Sequence, residues 1–361
     1  MRSTRTSSRK QQHVEITLSK DVSFRTKTTG FERFEFTHNA LPELNFSEID
    51  TGVSFLGKKL SFPLIISSMT GGYADAQRIN RNLAEVCAEK RIAMGVGSQR
   101  QAMEDSTYHR SFSIVREVAG DIPVFGNIGA AEVARLTDAG KVQKLAELIR
   151  ADAFAVHLNP LQEFLQPEGD TNFSGVLKGI ELLVKNLNIP VIVKEIGAGI
   201  SLQVAKRLVE VGVRIIDVAG SGGTSWAGVE IIRRKEKSAK QNNGRRNGGK
   251  EAGSFASQFW DWGIPTAEAL KQVSSLRSQT PDLTIISSGG ISSGLDVAKS
   301  IALGANLAGA AQPILKALES GGVKGLLDQI ESWEMEVKGA MFLTGSKSIA
   351  ELQKQQLALK L

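Results

Sequence analysis

The sequence predicts an α/β protein built as a single (β/α)8 barrel, and three observations support this fold class. Eight short apolar, β-rich runs follow one another from residue 60 onward, most of them separated by helix-length segments. The runs lack polar–apolar alternation, as do the strands of a parallel sheet that is covered by helices. The chain also lacks the glycine fingerprint of a dinucleotide-binding fold, which favours a closed barrel over an open, doubly wound sheet.

The expected strands are short runs that end where polar or glycine-rich residues begin. They cover residues 63–68, 92–95, 123–127, 153–157, 190–194, 215–218, 283–288 and 305–310. Helical patterns fill much of the intervening sequence, and Ser201 is a typical N-cap residue. The expected helices cover residues 74–89, 132–149, 201–211, 323–341 and 346–359.

One domain accounts for most of the chain. Residues 1–59 carry no strong core pattern and are expected to form an N-terminal arm that contributes ligand-binding residues to a barrel domain of residues 60–361. Residues 233–250 are polar, basic and rich in glycine, which predicts a mobile surface insertion at about 233–253, after the sixth strand. No change of composition between residues 60 and 345 indicates a second domain.

Composition and charge exclude several classes of protein. A single cysteine, Cys87, excludes an internal disulfide and a cysteine-rich metal site. The sequence has neither a secretory signal nor an apolar run long enough to span a membrane, so the chain is expected to be cytoplasmic. Its formal charge is +6, which suits a strongly anionic small ligand such as a diphosphate. The basic stretch has no interleaved aromatic residues, so nucleic-acid binding is not expected.

Polar residues at the predicted strand ends indicate one site, because the C-terminal strand ends of such a barrel converge on one mouth. His157, Asn159, Gln162 and Glu163 place an imidazole, two amides and a carboxylate directly after the fourth strand. The adjacent Pro160 ends the strand pattern. The other mouth residues are Ser68, Met69, Thr70, Gly97, Ser98, Gln99, Arg100, Asn127, Lys194, residues 220–226, Gly289, Gly290, Ala310 and Ala311.

Two glycine-rich turns follow the sixth and seventh strands, where barrels bind phosphate groups through backbone N–H groups. Neither turn matches a Walker A or GxGxxG pattern, so a purely structural role in tight turns is the alternative. Lys194 would supply a cation at the mouth and Arg100 would add positive charge there. Arg9 and Lys10 would add more if the arm folds over the mouth. Glu163 is the expected ligand of Mg²⁺, which takes one or two carboxylates plus phosphate oxygens.

Taken together, these motifs resemble the type 2 isopentenyl-diphosphate delta-isomerases, FMN-dependent barrels related to the flavoenzymes that oxidise 2-hydroxy acids. The most specific matches are HLNPLQE at residues 157–163 and GSGGTSW at residues 220–226, and the glycine turns are less specific. The other matches follow in the expected order over essentially the whole chain. They lie at Arg9-Lys10-x-x-His13 and at residues 68–72, 97–100, 126–129, 193–195, 217–219 and 288–291.

The resemblance implies an enzyme of isoprenoid biosynthesis that interconverts isopentenyl and dimethylallyl diphosphate. It also implies reduced FMN as acid and base, NADPH as the reductant of the flavin, and Mg²⁺ held by Glu163 on the substrate diphosphate. The implied FMN-binding residues are Ser68, Met69, Thr70, Ser98, Asn127, Lys194, Thr224, Gly289, Gly290, Ile291, Ala310 and Ala311. The implied substrate-binding residues are Arg9, Lys10, Ser98, Gln99, Arg100, Asn159 and Gln162, and the implied catalytic residues are Gln162, Lys194 and His157.

One departure from the family pattern concerns the turn after the seventh strand. Relatives commonly read Gly-Gly-Ile-Arg there, whereas this chain has Ser292 as the fourth residue. The FMN phosphate is therefore expected to depend more on backbone N–H groups. Two alternatives remain: an FMN-dependent oxidase of 2-hydroxy acids, and a catalytically silent barrel that binds nucleic acid or a partner through its basic insertion. A homo-oligomer, either a tetramer or an octamer, is also expected.

Overall fold

A computed structural model describes residues 5–241 and 254–360 of the chain. The strands of this part of the chain are β1 (Phe34–Phe36), β2 (Val53–Phe55), β3 (Lys58–Leu60), β4 (Leu64–Ile66), β5 (Ala93–Gly95), β6 (Val124–Gly129), β7 (Ala153–His157), β8 (Val191–Lys194), β9 (Ile215–Asp217), β10 (Thr284–Ser288), β11 (Leu307–Ala310) and β12 (Leu357–Leu359). Of these, β4 to β11 pair in parallel and close into a barrel in chain order. The predicted (β/α)8 barrel is therefore confirmed.

Helices follow the barrel strands and cover the outside of the barrel. In the described residues they are α1 (Arg5–Ser19), α2 (Ala76–Lys90), α3 (Arg100–Glu104), α4 (Arg110–Val118), α5 (Ala130–Val133), α6 (Gly140–Leu148), α7 (Pro160–Leu165), α8 (Val176–Asn186), α9 (Leu202–Glu210), α10 (Trp226–Gln241), α11 (Ser254–Ser257), α12 (Thr266–Ser274), α13 (Gly294–Ala302), α14 (Gln312–Thr344) and α15 (Ile349–Leu352). The Ser201 hydroxyl accepts a hydrogen bond from Val204 N, which confirms its predicted capping role.

The hydrophobic core has two layers, and their arrangement leaves one end of the barrel open. Strand residues such as Ile65, Phe125 and Ile192 fill the barrel interior. The β2–β3 hairpin packs Phe55 and Leu60 into the same cluster. A larger cluster lies between the strands and the surrounding helices and includes the buried thiol of Cys87. The β2–β3 hairpin thus covers one end of the barrel interior, and the polar residues lie at the other end.

The strand register aligns functional side chains at this open, C-terminal end. Gly129 pairs with His157, His157 with Lys194, and Lys194 with Asp217. Neighbouring parallel strands are about 4.8 Å apart, so these positions form a continuous row across one side of the mouth. The topology thus brings together residues that lie up to 88 positions apart in the chain.

The N-terminal arm folds against the barrel instead of extending from it. Its helix α1 packs on α10, where Ile16, Val22 and Val229 form a small buried cluster. Further along the arm, β1 pairs antiparallel with β12 near the C-terminus. The helix predicted at residues 346–359 is therefore wrong: α15 occupies one turn, and the remaining residues extend to pair with β1.

Three further expectations are corrected. The helix predicted at 132–149 is divided into α5 and α6, and the helix predicted at 323–341 is part of the longer α14, which is interrupted at Gly322. The surface insertion does not begin at residue 233, since α10 continues to Gln241. The rest of that predicted insertion, residues 242–253, lies outside the described residues. In the described part of the chain, no helix is both long enough and apolar enough to cross a membrane.

Candidate active site

A cavity of about 430 Å³ lies at the C-terminal mouth of the barrel. Residues at or just after all eight barrel strands contribute to its wall, and α1 closes it from one side with Arg9, Lys10 and His13. Its volume falls in the range of about 300–1,000 Å³ that is usual for ligand sites. All residues to which the sequence analysis assigned a catalytic, substrate-binding, cofactor-binding or metal-binding role line this cavity, except Thr70 and Gln99.

The side chains of the two exceptions are buried outside the cavity wall and make hydrogen bonds within the protein. The Gln99 side chain is fully buried, donates to Leu145 O and accepts from Asn127 N. The Thr70 hydroxyl donates to the Asn80 side chain, which is also buried. The expected direct roles of Gln99 and Thr70 are therefore corrected to structural ones, because both side chains point away from the cavity.

The imidazole of His157 is neutral. Its Nδ1 lies 2.8 Å from Asn127 Oδ1, an acceptor, so Nδ1 carries the hydrogen and Nε2 is left as an acceptor. Burial lowers the pKa of His157 to about 3, and the positive charges of Lys194, Lys10 and Arg9 contribute to this shift. At neutral pH this side chain can therefore accept a hydrogen bond from a ligand but cannot deliver a proton.

Lys194 provides a buried cation at the end of β8. It lines the cavity, while the neighbouring Asp217 is buried and bonded to the Ser288 hydroxyl at 2.6 Å. Burial raises the pKa of Asp217, and the nearby Lys194 charge opposes that effect. A positive charge held in this low-dielectric position acts more strongly on a negatively charged ligand than a solvated lysine does.

Gln162 is held between two partners. Its Oε1 accepts from Asn159 Nδ2 at 3.0 Å, and its Nε2 donates to Glu230 Oε1 at 3.3 Å. The Glu230 side chain is fully buried and also contacts His13 Nε2 and Arg233 Nε, both at 2.8 Å. The His13 and Arg233 contacts lower the pKa of Glu230, although burial opposes the shift. An ionised carboxylate thus ties Gln162 to the arm.

Sequence reasoning assigned no role to Glu230, and it placed Arg233 in the surface insertion. Arg233 is instead almost fully buried, and its Nη1 lies 2.6 Å from Glu168 Oε1. The available signal was the spacing of Glu230 and Arg233, which are three residues apart and hence on one face of α10. His13 was noted only as part of the Arg-Lys-x-x-His motif, without a role.

The arm brings two cations into the cavity. Lys10 Nζ donates to Gly71 O at 2.9 Å and also to Ser98 O. Burial lowers the pKa of Lys10 to about 7, and the like charges of Arg9 and Arg100 contribute to this lowering. Burial also lowers the pKa of Arg9. The two side chains therefore form a crowded, poorly solvated positive group, which is the environment that a phosphorylated ligand would stabilise.

Two hard oxygen donors lie beside this positive group. Glu163 Oε1 accepts from Asn159 Nδ2 at 3.0 Å, and Oε2 accepts from Asp170 N at 2.7 Å. Asn159 Oδ1 is buried and has no hydrogen-bond partner among the described residues. Residues 5–241 and 254–360 contain no group of three or more His, Cys, Asp or Glu that could hold a metal ion. The donor set thus fits Mg²⁺, which uses few protein ligands and completes its shell with ligand and water oxygens.

The glycine turns after β9 and β10 pack directly against each other. Gly289 and Gly290 have φ of 98° and 80°. A Cβ added to Gly289 would lie 2.1 Å from Gly220 O, and one added to Gly290 would lie 2.9 Å from the Gly222 carbonyl carbon. The N-terminus of α14 adjoins this wall at Ala311. Glycine is therefore required here for both conformation and packing, and the wall resembles a phosphate cradle.

Two serine side chains near these glycine turns differ in whether they are available to a ligand. Ser68 Oγ lines it and is buried without a hydrogen-bond partner in the described part of the chain, so it is available to a ligand. Ser292, by contrast, uses both its backbone N and its Oγ to donate to Asp296 Oδ2, at 2.9 and 3.0 Å. This turn therefore contributes no side-chain cation to the cavity wall.

Comparisons with known proteins agree with this architecture. The FMN-dependent dehydrogenase family profile matches residues 3–115 and 118–359. The chain is 47% identical to an isopentenyl-diphosphate delta-isomerase of Pelodictyon phaeoclathratiforme, covering 99% of this chain and 98% of that protein. It is 44% identical to the same enzyme of Vibrio campbellii, over 96% of this chain and 97% of that protein.

A solved structure extends the agreement to the fold. Mandelate oxidase, at 19% identity, superimposes with a TM-score of 0.64 over 97% of this chain and 95% of that one. This likeness concerns the barrel alone. The near-complete coverage by relatives at 44–47% identity decides the family. The chain therefore belongs to the FMN-dependent dehydrogenase family and, within it, to the isopentenyl-diphosphate delta-isomerases.

Proposed function

We propose that this protein interconverts isopentenyl diphosphate and dimethylallyl diphosphate with FMN bound in the barrel mouth. The observation that carries the proposal is the division of one cavity into two unlike halves. One half is walled by glycine turns and a helix N-terminus, and the other combines the cations of Arg9, Lys10 and Arg100 with the Glu163 carboxylate. The first suits a cofactor phosphate, and the second suits a substrate diphosphate with a divalent cation.

The residues fit FMN. Ser68 offers a buried hydroxyl for which the described residues provide no hydrogen-bond partner, and Asn127, Lys194 and the turn at Gly289–Gly290 lie around the same cavity. When bound and reduced, FMN supplies the acid–base chemistry that moves a proton to and from the alkene. Lys194 is proposed to stabilise negative charge on the reduced cofactor, because its own charge is buried. NADPH is the proposed source of reducing equivalents.

The chain's own residues orient the substrate and exclude water. Arg9, Lys10 and Arg100 are proposed to bind the diphosphate, and Glu163 would hold the Mg²⁺ that neutralises part of its charge. The Gln162 amide is fixed by Asn159 and Glu230 and is proposed to lie beside the reacting carbons. Helix α1 covers this half of the mouth. A site closed to water strengthens the electrostatic interactions that favour protonation of a weakly basic alkene.

The proposal is tested with purified protein that has been loaded with FMN, Mg²⁺ and NADPH under anaerobic conditions. Conversion of isopentenyl to dimethylallyl diphosphate is followed by product analysis. We expect turnover that requires reduced flavin and consumes no stoichiometric NADPH. FMN binding without isomerisation would refute the proposed reaction and would direct assays to 2-hydroxy acids. Protein that neither takes up FMN nor turns over would refute the cofactor as well.

Replacing Ser292 by arginine is expected to tighten FMN binding by about tenfold, which corresponds to one additional charge-assisted hydrogen bond. Ser292 is exposed at the cavity rim, so the larger side chain can be accommodated. The dissociation constant is measured by flavin fluorescence at two salt concentrations. Ser292→Gln, which has a long but neutral side chain, should bind FMN as the native protein does. Equal affinities for the arginine and glutamine variants would contradict a phosphate position near this turn.

Diphosphate binding is expected to weaken as the pH rises above 7, by up to about tenfold per pH unit. Burial lowers the pKa of Lys10 to about 7, so free protein loses this charge near pH 7 and must take up a proton when an anion binds. Calorimetry with inorganic diphosphate, in buffers of different ionisation enthalpy, measures that uptake. Lys10→Arg keeps its charge, so it should bind diphosphate without this proton uptake. The same uptake in both proteins would assign the proton to another group.

A further inference from the structure

Glu132 is an acidic side chain in a place that is expected to attract anions. It follows β6 in the first turn of α5 and lines the same cavity as Arg9, Lys10 and Arg100. Its side chain is 12% exposed. Burial raises its pKa, and the nearby Glu163 carboxylate contributes to that increase. A negative charge here repels a diphosphate, so its presence requires a compensating role.

The backbone makes room for this carboxylate. A Cβ added to Gly129 would lie 2.6 Å from Glu132 Oε2 and 3.2 Å from His157 Nε2. Any larger residue at position 129 would therefore displace Glu132, His157 or both. The Gly129 position thus allows the Glu132 carboxylate to lie close against the end of β6, beside the row of strand-end residues that form the mouth.

The partner of Glu132 is Arg100. The Arg100 Nη1 atom lies 3.0 Å from Glu132 Oε1, an ion-pair contact without hydrogen-bond geometry, and the Arg100 side chain is 32% exposed. A second carboxylate, Glu104, lies on the solvent side, 3.7 Å from Arg100 Nε. An arginine on the rim of a cavity has many solvated rotamers, and fixing one of them costs conformational entropy. An ion pair that already fixes one rotamer in the free protein means that this entropy is not lost when the ligand binds.

We propose that Glu132 is a positioning residue, whose carboxylate fixes the Arg100 guanidinium at the diphosphate subsite, so that this negative charge strengthens the binding of an anion. Of the two carboxylates beside Arg100, Glu132 is the more buried and the nearer. It therefore holds the guanidinium on the cavity side. This role presupposes the diphosphate substrate proposed above.

The test measures the affinity of FMN-loaded protein for inorganic diphosphate by calorimetry, with and without Mg²⁺. We expect Glu132→Ala to weaken binding by about tenfold, and Glu132→Gln to lie between this variant and the native protein. Simple removal of a repelling charge predicts the opposite, namely tighter binding. Glu104→Gln is the matched control, since it neutralises the solvent-side carboxylate but keeps the acceptor for Thr6 Oγ1, and it should bind normally.

A double-mutant cycle decides whether the effect acts through Arg100. With Arg100→Ala already present, Glu132→Ala should cause no further loss, and removal of its charge should instead tighten binding. In kinetic assays, KM for isopentenyl diphosphate should rise about tenfold while kcat changes less than about threefold. A variant that merely misfolds would lose active protein, and thus kcat, without changing KM. FMN affinity and melting temperature are recorded for each variant.

Three outcomes would overturn the role of Glu132. Normal or tighter binding by both Glu132 variants would show that its charge opposes the ligand. A loss that is unchanged in the Arg100→Ala background would show that it acts elsewhere. A loss seen only with Mg²⁺ would make Glu132 a metal ligand. If native protein does not bind diphosphate at all, the proposed substrate class itself fails, and this role fails with it.

Discussion

Turnover of isopentenyl diphosphate is expected to fall by about 10²–10³-fold when Lys194 is replaced by methionine, the magnitude typical of losing one preorganised electrostatic group. Lys194 lies in register with His157 and Asp217 at the cavity wall and is buried. Methionine retains much of its length but removes the charge. The loss should therefore appear in kcat with FMN bound, and flavin absorbance of the purified variant measures how much cofactor is retained.

The same substitution should also change how stability depends on pH. Burial raises the pKa of Asp217, and Lys194 is the principal influence that lowers it. Without that cation the pKa of Asp217 rises further. A carboxyl group whose pKa is raised by folding favours the native state at low pH, and this contribution is lost as pH rises through the folded-state pKa. The melting temperature of the variant should therefore continue to fall with rising pH over a wider pH range than that of the native protein.

A control variant separates this effect from the general loss of a lysine that interacts with a nearby carboxylate. Lys58 is the first residue of β3 and pairs with Asp152 at 2.8 Å; Asp152 precedes the N-terminal end of β7, whereas the cavity lies at the C-terminal strand ends. Lys58→Met should reduce stability and leave turnover per bound FMN unchanged. Native turnover by Lys194→Met with its full complement of FMN would contradict the electrostatic role.

The barrel could be predicted from the sequence because its signals are local. Each barrel strand is a short apolar run, and each ends where a polar or glycine-rich segment begins, as at His157 and at Gly289. Parallel topology then places all of these ends at one mouth. No knowledge of distant contacts is needed for that step, and for this reason most of the cavity residues can be predicted from the sequence.

The parts that could not be predicted depend on contacts between distant residues. Residues 357–359 are extended because they pair with β1, more than 300 positions earlier in the chain. Arg233 lies in a highly charged sequence that indicates a solvated surface. It is nevertheless buried, and its guanidinium forms ion pairs with Glu230 and Glu168. Local hydrophobicity contains no information about either partner. A charged residue is almost never fully buried unless it is paired, and the pairing is visible only in three dimensions.

Side-chain direction within a motif was a further source of error. The sequence treats Ser98, Gln99 and Arg100 as one segment that contacts the ligand. In the structure Ser98 and Arg100 line the cavity, whereas Gln99 points behind it to Leu145. Residues in an irregular loop follow neither the helical nor the strand period, so the direction of each side chain is set by its backbone dihedrals. A motif therefore locates a site more reliably than it assigns individual contacts.

Replacing Glu163 by glutamine is expected to raise the Mg²⁺ concentration for half-maximal turnover by about 10–100-fold. Glu163 provides carboxylate oxygens close to Asn159 Oδ1, which has no partner in the described part of the chain. Both carboxylate oxygens already accept hydrogen bonds, from Asn159 Nδ2 and Asp170 N. These donors orient the carboxylate toward the cavity. The substitution removes the charge that favours a divalent cation, so raised Mg²⁺ should restore part of the activity.

The amide also disturbs the loop, and the two effects can be separated. Whichever way the glutamine turns, its NH₂ group faces either Asn159 Nδ2 or Asp170 N, both of which are donors, so one hydrogen bond is lost at a cost of about 1 kcal/mol. Asp170→Asn is the matched control. The Asp170 carboxylate pairs with Arg135 at the surface, at 2.5 Å, and is absent from the cavity wall. It should show a similar small loss of stability and a native response to Mg²⁺.

Mg²⁺ titrations of the native protein, Glu163→Gln and Asp170→Asn therefore distinguish a metal-binding role of Glu163 from an orienting one. If Glu163→Gln shows the native half-saturating concentration with a reduced maximum rate, Glu163 acts by orienting Asn159 and the adjacent loop, and the metal is held by diphosphate oxygens alone. If the half-saturating concentration rises in Glu163→Gln but not in Asp170→Asn, the carboxylate itself binds the cation. The second result is the expected one, because a single carboxylate beside phosphate oxygens is a sufficient protein contribution to an Mg²⁺ site.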